Sequence, residues 1–174
     1  LTAETKPKET FLSPSHSALT DGKLPAGDLA LTWENETLYI YDGSQIVETP
    51  ATEEILKQLS EREFIAHDGK NLIRELEHRG YGNKCRFDTM LALYVLNPSR
   101  ASKSPQEIME RELGVSVSAE DVPALLPRLK DKLTAELKEN GAEFLYYEIE
   151  LPLCTVLARM EDLGFRADKD FFDR

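Results

Sequence analysis

The chain has 174 residues, 41% hydrophobic and 30% charged, enough for one globular core, and its 21 Lys and Arg stand against 32 Asp and Glu for a formal net charge of -11. So acidic a surface repels a phosphate backbone, which argues against strong nucleic-acid binding by this segment alone. No apolar run approaches the roughly 18 residues that span a bilayer, LTAETKPKETFLS has no apolar signal-peptide centre, and Cys85 and Cys154 belong to no C-x-x-C or Cys/His cluster. The expectation is a reducing cytoplasm, with no membrane, zinc site or disulfide framework.

Residues 1–28, rich in Thr, Ser, Pro, Lys and Gly, bury too little surface to order themselves and are expected to be a flexible linker. Residues 29–33 and 38–41 read as two strands joined by the polar turn Glu34-Asn35-Glu36-Thr37, with Asp42-Gly43 ending the second. Thr49-Pro50 spells a helix start, and Ile55, Leu56 and Leu59 supply that helix's inner face. Residues 64–66 form a buried strand, after which Asp68 is expected to cap a helix with the stripe Leu72, Ile73 and Leu76, closed by Gly80. Residues 85–87 form another strand. The helix that follows, residues 89–96, is capped by Asp88 for about 1 kcal/mol and stopped by Asn97-Pro98.

Ser104-Pro105-Gln106-Glu107 is a capping box with Ser104 as the cap. Ser118 and Asp121 begin a longer helix carrying Val122, Leu125, Leu126, Leu129, Leu133 and Leu137 at helical spacing as far as Gly141. A last helix begins at Pro152, with Leu153, Val156, Leu157, Met160 and Leu163 expected to face inward. Strands early and helices alternating with strands in the middle give an α/β protein, a mixed sheet covered by helices.

On three stretches, FDTMLALYVLNP at 87–98, IAHDGKNLIREL at 65–76 and YYEIELPLCTVLARMEDLGFRAD at 146–168, the chain resembles the bacterial family A DNA polymerases. The part resembled is the 3′-to-5′ exonuclease-like domain between the 5′ nuclease region and the polymerase proper. The resemblance implies an RNase H-like exonuclease fold at 29–150 and a junction helix at 151–174 leading into a polymerase region beyond these residues. Residues 1–28 then become the tether following the 5′ nuclease. It further implies a parent DNA-directed DNA polymerase of replication and repair. The partners it implies are the adjacent polymerase region and, through the parent, DNA, with the fragment itself a monomer.

Active members of that family trim single-stranded 3′ ends with two divalent ions, Mg or Mn, about 4 Å apart and held by converging carboxylates. The resemblance implies where these should lie: D-x-E on the first strand, an Asp in N-L-x-x-D, and Tyr-x-x-x-Asp on a late helix. No D-x-E occurs. Glu34/Glu36, Glu61/Glu63 and Glu148/Glu150 lie outside apolar strands, the first pair at a turn where charged residues are ordinarily solvated. Residues 29–41 match the second and third family strands, so the first is missing or unrecognisable. For N-L-x-x-D, either Glu75 or Leu72 falls at the aspartate position. Leu72 is preferred because it keeps the apolar stripe in register and agrees with the D-x-K spelling, Asp68-Gly69-Lys70, of members that have lost cleavage.

No Tyr or His is followed four residues later by Asp; Tyr146 with Glu150 comes nearest, in the junction, and Asp131 stands alone on the late helix. The expectation is therefore an exonuclease fold with no catalytic residue, metal or cofactor, in which Asp88 and Ser104 are structural caps. The alternatives are a weak Mg- or Mn-dependent exonuclease using Glu34, Glu75 and Asp131, and a protein-interaction module. His67 and His78 have no triad partners in the sequence. Lys70, Arg74, Arg79, Lys84 and Arg86 read as a solvated face, and Trp33, Tyr39 and Tyr41 as core or cross-strand aromatics.

Overall fold

In the computed structural model, which describes residues 11–101 and 104–164, six strands form one mixed sheet. They are β1 (Ser15–Ala18), β2 (Leu29–Glu34), β3 (Thr37–Tyr41), β4 (Gln45–Pro50), β5 (Phe64–Ala66) and β6 (Cys85–Asp88), in the spatial order β1-β4-β3-β2-β5-β6. β2, β3 and β4 make an antiparallel meander, while β5 pairs parallel with β2, and β6 with β5. The β2–β3 turn has only two residues, Asn35 and Glu36, with φ of 48° and 64°, the left-handed pair that matches the twist of a hairpin.

Period-two alternation divides the core. Ala30, Ile65 and Phe87 face one way and pack with α3 (Thr89–Leu96), α4 (Pro105–Leu113) and α5 (Val122–Glu139). Leu29, Leu31, Phe64 and Ala66 face the other way, against α1 (Glu53–Ser60) and α2 (Lys70–His78). The α/β class and the mixed sheet covered by helices are as expected.

The helix starts are local chemistry. The Ser104 hydroxyl accepts from the Glu107 amide at 3.4 Å to open α4, and Gly114, at φ 72°, closes it. A short 3-10 turn (Pro98–Arg100) carries Arg100, whose guanidinium meets Glu112 at 2.7 Å and Glu136 at 2.6 Å, with Lys132 also on Glu112 at 2.8 Å. Burial works to raise the Glu112 carboxyl, but hydrogen bonds from Arg100, Lys132 and Arg111 hold it down to about 2.

Three expectations are corrected. Within the span expected to be a flexible linker, β1 lies parallel to β4 at the sheet edge, although residues 1–10 lie outside the described residues. Residues 11–28 bury Leu24 and pack Phe11 and Leu19 on the core, and they are tied by polar bonds that a count of apolar residues does not register: Ser13 and His16 on the Asp121 carboxylate at 2.7 and 2.8 Å, Gln58 on the Gly22 carbonyl at 2.7 Å, and Arg62 on the carbonyls of Pro25 and Gly27. Second, Thr49-Pro50 ends a strand instead of starting a helix. Ile46, Val47 and Thr49 are buried in β4, and Thr52 caps α1 three residues later.

The third correction concerns the last helix. α6 (Leu151–Leu163) continues a wide π-helical segment (Leu145–Glu150) and lies along α2, burying Cys154 and Ala158 beside Ile73. Leu153, Val156, Leu157, Met160 and Leu163, expected to face inward, are 37–85% exposed. Polar pairs hold the helix instead: Lys70–Glu161 at 2.7 Å, His78–Asp162 at 2.9 Å, Arg159–Glu77 at 2.6 Å and Asn83–Thr155 at 3.1 Å. Residues 165–174 of the expected junction lie outside the described residues.

A candidate functional site at the strand switch point

β2 sits where the sheet changes direction, with β3 antiparallel on one side and β5, reached through α1, parallel on the other. In open α/β sheets, ligands bind in the crevice beyond the carboxyl ends of strands at such a point. A crevice of about 120 Å³ opens there, walled by residues 31–34 of β2, Ala66 at the end of β5 with residues 67–69 after it, and Asn71, Leu72 and Pro105. This corrects the assignment of residues 29–41 to second and third strands with the first one missing. Because Gln45–Pro50 completes the meander, β2 is its first strand and occupies the centre of the sheet.

The chemistry on those walls is sparse. Alternation places Ala30, Thr32 and Glu34 on the side of β2 that faces α5. Thr32 is buried, and its hydroxyl has no hydrogen-bond partner among the described residues. Glu34 is exposed at the hairpin mouth, opposite Thr37. From the other wall come Asp68, half-buried at φ 51°, and Leu72, which is buried. Leu72, and not Glu75, lines the crevice. Glu75 forms an i,i+4 ion pair with Arg79 and borders a separate dent with Trp33, Asn35 and Arg74.

The third candidate, Asp131, projects from α5 into solvent with its side chain 80% exposed, beside Lys130. Glu34, Glu75 and Asp131 are therefore not brought together. Among the described residues, no group of three or more His, Cys, Asp and Glu is placed to hold a metal ion. A pair of divalent ions needs more converging anionic oxygens than Glu34 and Asp68 offer, so the residues present do not fit a two-ion centre.

Directly beneath the crevice the polar groups are saturated. One Asp88 oxygen accepts from the amides of Met90 and Leu91 at 2.9 and 3.2 Å, capping α3, and the other accepts from the Gly69 amide at 2.8 Å, at the start of α2. Asp68 does not cap α2; Gly69 is the cap residue, and Asp88 reaches it from the end of the adjacent strand β6. A Cβ on Gly69 would come 3.0 Å from Ala66 Cβ and 3.5 Å from the Asp88 carboxylate, so an added methyl there crowds Ala66. Burial pushes the Asp88 carboxyl above the ordinary aspartate range, while His67 and the amides of Gly69 and Leu91 pull the other way.

Tyr146, the near-match to the late-helix tyrosine, belongs to this same knot. It is fully buried 5.0 Å from the Phe87 ring, its hydroxyl accepting from the Asp88 amide at 2.8 Å and donating to the Asp88 carbonyl at 3.1 Å. His67 is buried too, its Nδ1 2.8 Å from the Thr89 hydroxyl, which donates to the Ala66 carbonyl. Three members of the cationic run are paired with carboxylates, Lys70 with Glu161, Arg79 with Glu53 and Glu75, and Arg86 with Asp28 and Glu63, while Lys84 donates to the Glu61 carbonyl.

No protein-family model matches the chain. DNA polymerase I of Caldicellulosiruptor bescii is 33% identical over 144 residues, covering 79% of this chain and 16% of that protein. The chain is similar to one segment of bacterial DNA polymerase I.

A solved structure described as the POL domain of Pol1 from M. smegmatis, in complex with DNA primer-template and dNTP, superposes with a TM-score of 0.65 at 22% identity, covering 81% of this chain and 28% of that one. Brucella melitensis NrnC with bound Mg2+ superposes at 0.62 and 18% identity, covering 90% and 96%. The fold is that of the RNase H-like exonucleases. Within this polymerase I-like segment, sequence reasoning missed Thr32 and Gly69 as parts of the crevice and its floor. Thr32 could have been found only by placing β2 at the centre of the sheet, and nothing in the local spelling around Gly69 points to a carboxylate 19 residues away.

Proposed function

We propose that the chain is a non-catalytic, 3′-to-5′ exonuclease-like structural domain of a DNA polymerase I, whose work is to position the polymerase region of the parent chain in DNA replication and repair. The observation that carries this reading is the crevice itself. At the crevice, β2 presents Thr32 and a rim glutamate, Glu34, and α2 presents Leu72. The net charge of -11 and the pairing of Lys70, Arg79 and Arg86 with carboxylates support DNA contact through the parent and not through this segment. The reading includes a monomeric segment in the cytoplasm that takes no cofactor of its own.

The test is an end-labelled single-stranded DNA incubated with the chain and Mn2+ or Mg2+. No shortening above the rate without protein is expected. Metal-dependent trimming of the 3′ end that disappears in Glu75→Ala or Glu34→Gln would establish the weak exonuclease instead.

A further inference from the structure

We propose that the switch-point crevice binds one alkylguanidinium head, the group carried by an arginine side chain or by a free alkylguanidine. The proposal rests on the reading above in one respect, that no pair of divalent ions fills the crevice.

Size sets the first limit. At about 120 Å³ the crevice is well below the roughly 300 Å³ at which drug-sized pockets begin, so it admits one head group and its first methylenes. Charge sets the second. Glu34 stands at the rim on β2 and Asp68 comes from the other wall, neither with an ion-pair partner among the described residues, and no described Lys or Arg lines the opening. Arg74 lines the neighbouring dent, and Lys70 is paired with Glu161. Such a mouth repels anions, and two carboxylates that cannot hold a pair of divalent ions are enough to balance one organic monocation.

An observation independent of the acidic rim points to a ligand with N–H donors. Thr32 lines the crevice and is only 6% exposed, yet its hydroxyl has no hydrogen-bond partner among the described residues. A buried hydroxyl left unpaired is costly, and a donor seated against that wall gives its oxygen a bond. The Asn71 side-chain carbonyl, at the same opening, is a further acceptor.

These acceptors and the aromatic wall choose among monocations. A guanidinium carries five N–H donors in one plane and no acceptor, is more weakly hydrated than an ammonium, and lies flat on aromatic faces. Trp33, half-buried, supplies an indole to the crevice wall. Leu72 and Pro105 give the methylene stem apolar surface to pack on. An alkylammonium is a compact, strongly hydrated charge with three donors, so it gains less on leaving water for this opening.

Trp33 is the one tryptophan of the chain, so its fluorescence reads the crevice directly. The experiment titrates the 174-residue chain with ethylguanidinium chloride at constant total chloride and follows the Trp33 emission. A saturable change in the millimolar range is expected. It should be weakened at least ~10-fold by the double change Glu34→Gln and Asp68→Asn and about 3-fold by Thr32→Val, with ethylammonium binding at least ~5-fold more weakly than ethylguanidinium. Thermal midpoints of the same variants show that they are folded. A response that never saturates, equal binding by the double variant, or equal binding of ethylammonium overturns the proposal. The peptide acetyl-Gly-Arg-Gly-amide then separates the two sources: binding as tight as that of ethylguanidinium gives the site to an arginine side chain, and exclusion of the peptide while ethylguanidinium binds gives it to a free alkylguanidine. The nuclease assay on the same preparations separates the two readings. Trimming of DNA removes the non-catalytic reading and this proposal with it, while failed ethylguanidinium binding without trimming removes this proposal alone.

Discussion

The mouth of the switch-point crevice and the knot beneath it meet at the neighbouring residues Asp68 and Gly69 and are opposite in chemistry. At the mouth, Glu34 and Asp68 face an opening walled otherwise by Thr32, Leu72 and Pro105. Below it, Asp88 spends both carboxylate oxygens on three backbone amides, and Tyr146 ties the Asp88 backbone to the far helix. A carboxylate whose lone pairs are taken by amides welds elements together, while one open to water at a rim is available but too poorly accompanied to bind a cation pair. The fold keeps the polar groups that position its strands and helices, and among the described residues it brings no group of three or more His, Cys, Asp and Glu together.

The changes that test this contrast can be ranked. Asp88→Ala should cost most, about 3 kcal/mol, because it strands the buried amides of Gly69, Met90 and Leu91 together; urea unfolding measures it, and a loss under about 1 kcal/mol would mean the knot is not what joins α2 and α3. Tyr146→Phe should follow at about 2 kcal/mol by the same method, since it leaves the buried Asp88 amide without an acceptor. Gly69→Ala should cost about 1–2 kcal/mol through the contact with Ala66, and a neutral result would show that the two walls of the crevice can part.

Glu112 supplies a pH arm to the same contrast, as a saturated carboxylate outside the crevice. Its folded-state value of about 2 lies below the ordinary glutamate range near 4.3, so the unfolded chain binds the extra proton between them. Its contribution is present above about pH 4.3 and is lost as pH falls toward 2. Glu112→Gln should flatten the thermal midpoint across that interval; an unchanged acid limb would contradict the network around Arg100. The smallest effects belong to the rim: Glu34→Gln and Asp68→Asn should each move stability by less than about 0.5 kcal/mol, as for surface changes generally.

Most of the helices were legible because their punctuation is local. Ser104-Pro105 opens α4 and Gly114 closes it, and the leucine spacing of α5 survives intact. What sequence pattern missed was set by groups distant in the chain. β1 is paired with a strand 30 residues on and pinned by Asp121, and β4 carries a Thr-Pro that reads equally well as a helix start. α6 inverted the expected face because periodicity locates an apolar stripe without saying what covers it. At the site, the lack of D-x-E and the preference for Leu72 over Glu75 could be read directly. The place of β2 at the switch point could not, because strand order is fixed by pairing partners and not by composition.

The central claim is that too few anionic oxygens meet in the crevice for a pair of divalent ions. Electron paramagnetic resonance of the chain titrated with Mn2+ counts bound ions directly. No saturable site is expected up to millimolar Mn2+, with wild type and the double variant Glu34→Gln, Asp68→Asn giving the same free-ion signal; two bound Mn2+ per chain, coupled to each other and released by that double change, would contradict it.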